Sequence, residues 1–542
     1  MTNSNLRKDM PLQARTRFVH WIFCTVLIWS SIPSDYNVLQ SVESFLSTFS
    51  GRQPTYSNRH PIRNIYKSLT ALLSGDLENS AYTDGVTIIA GPWNSTKFGT
   101  TGCWGRRPIL IRNAFNDTTM LPTWEDILNL ASEAFAQEND DGIVTSRLIE
   151  HIPGTLNTYR AEFGPFHSSE ILRSFDSNGN KVDEADDAEE YVPTLVVNDV
   201  DRWIPEVSHW MDETFGRVLP RWRRDDAQIS IAPRGGGIGP HVDNYDVFLI
   251  QIEGSRCWRV GPMDVSHCDE EDLLVPSSEV SILDLTKRSS MTHNQSALLH
   301  LEKGDCLYLP PRAVHCGEST SDDCVTLSVG CRSPSASELL ARVTEYVATS
   351  TKASANERYK DLNRWSISSS TTKGIDDEKI AMKILLLQAV KDVVENDSLW
   401  DSIVGQTITE SKRPVGEYPV SVNDMSDEWK SELGIWADPI ETMNALLSGH
   451  GSLYRSEGLS FATSTVGDTH RMFVQGRSFE VSSLDEGDSP AFATMLSRIA
   501  NGPPLNLEAL EKMNMIPLPV VLMEFLQTLL SEGIIYGWSD EP

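Results

Sequence analysis

The sequence predicts a mixed α/β protein with a β-barrel or jelly roll at its centre and helix-rich segments on both sides. From Gln228 to about Arg332, short runs of β-forming residues are separated by Gly and Pro, as in a barrel or jelly roll. Outside that region, apolar residues recur at helical spacing. A chain of 542 residues is too long for one simple core, so we expect about two to four domains.

The composition narrows the possible partners. The formal net charge is -30 at pH 7, and because phosphate binding needs a basic surface, direct DNA or RNA binding is not expected. This charge favours a basic protein partner, although an acidic surface that keeps a protein in solution is an equal alternative. The eight Cys are thinly spread without a CxxC pair. We therefore expect buried free thiols in a reducing compartment, rather than disulfides or a zinc site.

Residues 1–75 predict a targeting leader or a disordered extension. Arg15 and Arg17 precede an apolar run at 18–32 that is short for a membrane span and typical of a signal segment. The stretch Ser41–Ser74 is rich in Ser and Arg and poor in acidic residues, as in transit peptides. We expect a mitochondrial or plastid location, with the cytoplasm as the alternative, and no stable membrane span in the mature protein.

The globular part is expected to begin near Asp84 with a mixture of helices and strands. The acidic segment 176–190 predicts an exposed loop or insertion. Helices are predicted at Trp93–Phe98, Trp124–Phe135 and Pro205–Leu219, and strands at Trp104–Ile111 and Ser146–Ile149. The strands predicted for the central barrel are Gln228–Ile231, Asp246–Ile252, Arg256–Val260, Ala297–Leu301, Cys306–Leu309 and Cys324–Val329.

Residues 346–423 predict a helical region and a linker, and residues 424–542 a separate helix-rich module. Apolar spacing places helices at Ala336–Thr349 and Lys379–Glu395, and Gln406–Asn423 has the composition of a linker. Beyond it, a hairpin at 471–481 and a final helix at 519–532 are typical of a winged-helix module.

Candidate metal ligands lie in the segment from Gly235 to Gln251. There, His241 and Asp243 are separated by one residue, and side chains at positions i and i+2 of an extended segment point to the same face. A second His-x-Asp pair, His267 and Asp269, lies among acidic residues with no strand pattern after it, so we interpret it as a solvated acidic loop.

A third candidate ligand, His315, follows Pro310-Pro311 at the end of a strand-like run. Two histidines and one carboxylate are the ligand set that holds iron(II) on one face and leaves the other face open. An oxygenase of this type also needs a cation for its cosubstrate, and Arg256 can grip a 2-oxoglutarate carboxylate bidentately. Ser230 could add a hydroxyl, whereas Arg259 is expected on the opposite face of the strand from Arg256.

With these residues in place, the chain resembles the Jumonji-C ribosomal oxygenase family, and most closely its bacterial branch of ribosomal-protein arginine hydroxylases. The resemblance spans roughly residues 84–345, and the run Gly-Gly-Gly-x-Gly-Pro-His-x-Asp-x-Tyr-Asp-Val-Phe is very specific. The matching segments are Arg107–Pro108, Ser146–Leu148, Gly164–Phe166, Gly235–Gln251, Trp258–Gly261, Gly304–Asp305, Tyr308–His315 and Ser328–Gly330.

The resemblance implies a double-stranded β-helix oxygenase domain (84–345), a helical dimerisation region in a homodimer and a C-terminal winged-helix domain. It implies His241, Asp243 and His315 as iron(II) ligands, and Arg256 as the residue that binds the 2-oxoglutarate carboxylate. Ser230 falls at a position on the cosubstrate side.

The implied reaction is hydroxylation of a protein side chain with Fe(II), 2-oxoglutarate and O2, on an arginine of a large-subunit ribosomal protein. The acidic charge of the chain suits such a basic substrate, and organelles keep bacterial-type ribosomes. The alternatives are a histidine hydroxylase of the same fold, a lysine demethylase, or a metal-free barrel that serves in ribosome assembly. The leader, the acidic segment and a longer stretch at 284–297 depart from the bacterial pattern, and the last of these precedes the strand leading to His315, next to the expected substrate groove.

Overall fold

A computed structural model gives the structure of the chain. It describes residues 85–132, 144–156, 158–167, 175, 191–261, 265–276, 278–284, 287, 297–349, 358, 376–410, 435–436, 438–456, 458–481 and 489–538. The leader, the acidic segment 176–190 and most of the longer stretch at 284–297 lie outside these residues, as does the end of the helix predicted to reach Phe135.

The first helices and strands precede the barrel. Five of them overlap predicted elements, whereas the strands at Thr87–Ala90, Arg160–Phe163 and Val192–Val197 and the helix at Val200–Trp203 were not predicted. The first helix begins at Ser95, because the side chain of Asn94 accepts a hydrogen bond from the backbone of Lys97 and caps it. The second starts at Trp124 after a capping box formed by Thr123 and Asp126. The elements are β1 (Thr87–Ala90), α1 (Ser95–Thr100), β2 (Ile109–Arg112), α2 (Trp124–Leu130), β3 (Ser146–His151), β4 (Arg160–Phe163), β5 (Val192–Val197), α3 (Val200–Trp203) and α4 (Pro205–Phe215).

All six strands predicted for the barrel are present, and one further strand lies among them. Each observed strand contains its predicted run, and the strand that sequence reasoning missed begins at His315. The elements are β6 (Arg224–Ala232), β7 (Asp246–Glu253), β8 (Ser255–Val260), α5 (His267–Leu273), β9 (Ala297–Glu302), β10 (Cys306–Leu309), β11 (His315–Ser319) and β12 (Cys324–Cys331).

These strands form two sheets with a shared apolar interior. The larger sheet has the order β1-β2-β10-β7-β12-β6-β5-β3-β4, and the smaller has the order β11-β8-β9. Leu249 and Leu307 from the larger sheet pack in one buried cluster with Trp258 and Leu301 from the smaller. The predicted barrel architecture is therefore present, with β12 at its centre and paired to both β6 and β7.

The described cysteines are free thiols. Of the five cysteines that the sequence places in or near strands, Cys306, Cys324 and Cys331 are buried, and Cys257 and Cys316 are partly exposed.

Three helices follow the barrel: α6 (Ala336–Thr349), α7 (Asp376–Val394) and α8 (Asp397–Thr409). The first two were predicted, and α8 was not. The predicted linker beginning at Gln406 is wrong for its first residues, because α8 continues to Thr409. There, the Thr407 and Thr409 hydroxyls are buried and donate to backbone carbonyls four residues earlier. None of the helices within the described ranges is both long and apolar enough to cross a bilayer.

The C-terminal part combines helices with two small sheets around its own apolar core. The predicted hairpin is present as β16 and β17, and the predicted final helix as α12. The elements are β13 (Ile435–Trp436), α9 (Pro439–Ser448), β14 (Ser452–Arg455), β15 (Phe461–Val466), β16 (Thr469–Val474), β17 (Arg477–Val481), α10 (Ser489–Asn501), β18 (Leu505–Asn506), α11 (Leu507–Lys512), α12 (Val520–Ser531) and β19 (Ile535–Trp538).

A buried charge cluster joins this C-terminal part to the oxygenase part. The carboxylate of Asp212 on α4 lies 2.5 Å from a guanidinium nitrogen of Arg224 and 2.9 Å from one of Arg221. It also lies 2.5 Å from a nitrogen of Arg455, on β14 of the C-terminal part. Burial alone would raise the pKa of Asp212, but the three arginines hold it well below its usual range.

Candidate metal centre

The structure brings His241, Asp243 and His315 together. One ligating atom from each lies within 4.8 Å of those of the other two. His241 precedes β7 and His315 opens β11, and the backbones of the two histidines exchange a pair of 3.0 Å hydrogen bonds. The His315 Nε2 atom is 3.6 Å from a carboxylate oxygen of Asp243. Strand pairing therefore sets the distance between residues that lie far apart in the sequence.

Both imidazoles are oriented by backbone carbonyls. The Nδ1 atom of His241 lies 2.9 Å from the carbonyl oxygen of Gly239, and that of His315 lies 2.9 Å from the carbonyl oxygen of Ala313. A neutral ring that donates from Nδ1 keeps its lone pair on Nε2, which is the arrangement that supporting hydrogen bonds impose on metal-binding histidines.

The electrostatics keep His315 neutral. Burial, reinforced by the neighbouring His241, lowers the pKa of His315 to about 4, although Asp243 opposes this shift. A neutral imidazole is the form that binds a metal ion, since the protonated ring has no free lone pair. His315 is thus ready to act as a ligand without first losing a proton at neutral pH.

Two glycines let the segment before His241 pass close to neighbouring strands. A Cβ atom on Gly237 would lie 2.3 Å from the carbonyl oxygen of Gly317 on β11. Gly239 has φ +84° and would meet the side chain of Ile282 at 2.6 Å. Only glycine fits both the close approach and the left-handed backbone, so the glycine run places His241 opposite His315.

The three residues line a cavity of about 360 Å³ that Arg256 also lines. Arg256 lies on β8, on which buried and partly exposed residues alternate. Its side chain donates from Nη1 to the hydroxyl of Ser230 at 3.2 Å and from Nε to the sulfur of Cys324 at 3.3 Å. Arg256 is only 2% exposed, and its Nη2 atom has no hydrogen-bond partner. This buried cation can accept a carboxylate from the cavity.

Two competing candidates were considered in the sequence: Arg259 as the cosubstrate cation, and His267 with Asp269 as metal ligands. The structure confirms the predicted position of Arg259 but not the loop predicted for His267 and Asp269. Arg259 is on the opposite, partly exposed face of β8. His267 and Asp269 do not form the predicted loop, because Ser266 caps a helix there and shares a capping box with Asp269. The side chain of His267 is 76% exposed. Within the described ranges, His241, Asp243 and His315 make up the cluster of metal-binding character.

The polar residues of the same cavity that sequence reasoning missed include Arg147, Asp226 and Tyr245. Burial lowers the pKa of Arg147, although Tyr245, Asp243 and Asp226 oppose the shift. A Cβ atom on Gly330 would lie 3.0 Å from a carboxylate oxygen of Asp226. The two-residue period of β6 could have found Asp226, since it shares a face with Ser230 four residues on.

The sequence family described as "JmjC domain" matches residues 213–339. The chain is 28% identical over 307 residues to the "Probable ribosomal oxygenase" of Haemophilus influenzae, an alignment that covers 56% of this chain and 67% of the relative. It is 32% identical over 251 residues to the "Ribosomal protein uL16 3-hydroxylase" of Escherichia coli. That alignment covers 45% of this chain and only 54% of the E. coli protein.

The fold is similar to that of a solved structure, the E. coli ribosomal oxygenase YcfD in complex with cobalt and 2-oxoglutarate. The TM-score is 0.54 at 23% identity, over 82% of this chain and 98% of that protein. At this identity the likeness concerns the fold, which is a cupin-type JmjC fold of mixed α/β content. Residues 213–339 thus match a JmjC domain, and the chain is similar in sequence to proteins named as ribosomal oxygenases.

Proposed function

We propose that this chain is an iron(II)- and 2-oxoglutarate-dependent dioxygenase that hydroxylates an arginine side chain of a large-subunit ribosomal protein. The observation that carries the proposal is one cavity with the cluster of His241, Asp243 and His315 on its wall and the unpaired guanidinium of Arg256 beside it. The names of the bacterial relatives support a ribosomal protein as the substrate.

The residues present fit iron(II). Two imidazoles and one carboxylate are the ligands of iron(II) oxygenases that leave coordination positions open for other molecules. His241, Asp243 and His315 would hold the ion. The carbonyl oxygens of Gly239 and Ala313 would keep the two rings in the tautomer that binds through Nε2.

The residues around Arg256 fit 2-oxoglutarate. A buried guanidinium with an unpaired Nη2 atom is costly, and a carboxylate that binds across Nη1 and Nη2 offsets that cost. The hydroxyl of Ser230 is already bonded to Nη1 and could donate its own proton to the same carboxylate. Arg256 would thus hold the far carboxylate of the cosubstrate and leave its keto-acid end free to face the metal ligands.

The reaction joins one oxygen atom of O2 to a substrate carbon and the other to the cosubstrate, which leaves as succinate and carbon dioxide. Bound iron(II) supplies the site of oxygen activation, and 2-oxoglutarate supplies two electrons. This chain's own residues bind and orient. Arg256 anchors the cosubstrate, His315 stays neutral because it is buried, and the strand pair keeps the ligand atoms at fixed distances.

The acidic residues of the cavity wall support a cationic substrate. Asp226 and Glu279 line it together with Tyr245 and with Glu270, which is paired with Arg312 at 2.7 Å, and the whole chain carries a formal charge of -30. Such an arrangement attracts a basic protein and can receive a guanidinium group. Arginine is therefore the proposed target, and a histidine on another ribosomal protein is the alternative that the experiment below also detects.

The test is mass spectrometry of ribosomal proteins incubated with the iron-loaded chain and 2-oxoglutarate, compared with samples that lack the chain. We expect one added oxygen on an arginine of one large-subunit protein. An added oxygen on histidine would replace arginine as the target, and loss of a methyl group from lysine would indicate a demethylase. No turnover with any ribosomal extract would contradict the enzyme proposal.

We further propose that α7 mediates a homodimer and that residues 424–542 form a winged-helix domain. Several apolar side chains of α7 are at least 40% exposed, and a surface of this kind is typical of protein contacts. They are Ile380, Met382, Ile384, Leu386 and Leu387. Light scattering should show a dimer for the wild type and a monomer for the Ile384→Glu/Leu386→Glu double variant. Val520→Glu, at an exposed position on α12, is the control and should remain a dimer.

We propose an organelle with bacterial-type ribosomes as the place of action. The arginine-rich, acid-poor composition of residues 1–75 supports import, and the relatives from bacteria support a bacterial-type substrate. A fluorescent protein fused behind residues 1–75 should enter mitochondria or plastids. A uniformly cytoplasmic fusion would contradict this part of the proposal.

A further inference from the structure

Cys324 is a fully buried cysteine at the start of β12, and its sulfur contacts Arg256. The Sγ atom accepts a hydrogen bond from Arg256 Nε at 3.3 Å and a second from the side-chain amide of Gln251 at 3.4 Å. Cys324 is 0% exposed and Arg256 2%. Solvent does not reach the contact between the sulfur and Nε, and the sulfur orients the guanidinium together with the Ser230 hydroxyl on Nη1.

The second donor to the sulfur is itself fixed in direction. The Oε1 atom of Gln251 accepts a hydrogen bond from the hydroxyl of Thr326 at 3.1 Å, which leaves its nitrogen to face the sulfur. That nitrogen also lies within hydrogen-bond distance of the carbonyl oxygens of Glu253, at 2.7 Å, and Val325, at 3.3 Å. Gln251 and Thr326 thus form a buried polar pair that contacts the same sulfur as Arg256.

The sulfur also complements the charge of Arg256, as does the ring of Trp258, whose centroid lies 5.7 Å from the guanidinium carbon. Among the described residues, no carboxylate lies within ion-pair distance of Arg256. Burial alone would raise the pKa of Cys324, but Arg256, together with donors that include Gln251, lowers it below its ordinary value. A polarisable sulfur that receives two N–H donors can carry part of the negative charge that a buried guanidinium requires.

We propose that Cys324 is a positioning residue for 2-oxoglutarate binding, which it promotes by holding Arg256 through Nε. With Nε bonded to the sulfur, the planar guanidinium can turn only one edge, Nη1 and Nη2, toward Ser230 and the far carboxylate of the cosubstrate. Cys324 does not line the cavity itself, whereas Arg256 and Ser230 do. This inference rests on the proposed function, because it assigns a role within the same cosubstrate site.

The test compares the affinities of two keto acids for the iron(II)-loaded chain, measured by anaerobic calorimetry. For 2-oxoglutarate, Cys324→Ala should raise Kd by about tenfold, the effect of losing one hydrogen bond to a charged group. For 2-oxobutyrate, which lacks the far carboxylate, Kd should stay within about twofold of the wild-type value. Cys324→Ser keeps an acceptor but holds it on a shorter bond, farther from Nε, and should give an intermediate Kd for 2-oxoglutarate. In turnover, KM for 2-oxoglutarate should rise while kcat changes little.

Cys331→Ala is the matched control, since Cys331 is equally buried on the same strand but does not bond to Arg256. It should leave both Kd values unchanged. Equal weakening of both keto acids by Cys324→Ala would mean a general structural defect and would overturn the inference. An unchanged Kd for 2-oxoglutarate in Cys324→Ala would overturn it as well. Failure of the wild type to bind 2-oxoglutarate at all would instead contradict the proposed function.

Discussion

At the scale of single residues, the candidate centre depends on a few atoms whose directions are set by the backbone. Each histidine ring is fixed by one carbonyl oxygen two residues before it, and Arg256 is fixed by a hydroxyl and a sulfur. Side chains held in this way lose little conformational entropy on binding, which favours tight and directional binding of a metal ion and an anion.

Removal of the carboxylate ligand should abolish metal binding. Asp243→Ala leaves two imidazoles, and a site with one ligand fewer and no negative charge should lose iron(II) affinity by at least about a hundredfold. Iron content after anaerobic loading measures this. The control is His267→Ala, in the exposed His-x-Asp pair. Full iron binding by Asp243→Ala would contradict the ligand assignment.

Removal of the buried guanidinium should act on the cosubstrate. Arg256→Ala should raise KM for 2-oxoglutarate by at least about tenfold, because at least one hydrogen bond to a charged group is lost, and should leave iron binding intact. Arg259→Ala removes the same charge from the opposite face of β8 and should change little. A wild-type KM for 2-oxoglutarate in Arg256→Ala, as expected for the Arg259→Ala control, would contradict the role of Arg256.

At the scale of helices and strands, backbone pairing between His241 and His315 brings together ligand residues that lie far apart in the sequence. The two-residue period predicted that His241 and Asp243 share a face and that Arg256 and Arg259 do not, and both predictions are confirmed. The period could not predict α8. This helix contains Gly405, Thr407 and Thr409, which are poor helix formers, and buried tertiary contacts stabilise it instead.

Gly237 lies so close to β11 that a side chain at this position should destabilise the protein. Gly237→Ala places a Cβ atom 2.3 Å from the Gly317 carbonyl oxygen, so the strands must separate. We expect about 1–3 kcal/mol of destabilisation and weaker iron binding, measured by chemical unfolding and metal titration. Gly99→Ala, on a helix with open space around the glycine, is the control. Unchanged stability and iron affinity in Gly237→Ala would show that the approach is not needed.

At the scale of the whole molecule, the oxygenase part and the C-terminal part are joined by charges that no local pattern reveals. Asp212 and Arg455 are 243 positions apart, and neither lies in a recognisable motif. The sequence predicted both parts because each has its own periodicity, whereas their contact depends on the tertiary arrangement. Arg147 and Tyr245 were missed for the same reason, since the cavity is assembled from several strands.

Asp212 should make this contact sensitive to acid. Its pKa is held well below the unfolded value of about 3.9, so its stabilising effect is complete above that value and is lost as the pH falls toward the folded pKa. Asp212→Asn should destabilise the chain by about 3–5 kcal/mol at pH 7, as when one partner of a buried ion pair is removed. The difference from the wild type should shrink below about pH 4.

Thermal unfolding at several pH values measures this difference. Glu213→Gln, at the exposed neighbouring position, is the control and should unfold like the wild type. A gap between Asp212→Asn and the wild type that does not change between pH 7 and pH 3 would contradict the electrostatic explanation.

The central claim is that one metal centre couples the consumption of 2-oxoglutarate to the hydroxylation of a ribosomal protein. The most direct test counts succinate and added oxygen in the same reaction, with purified large-subunit proteins and the iron-loaded chain. We predict about one succinate for each oxygen added to the substrate, and neither product with Asp243→Ala. Added oxygen without succinate, or equal turnover by Asp243→Ala, would contradict the claim.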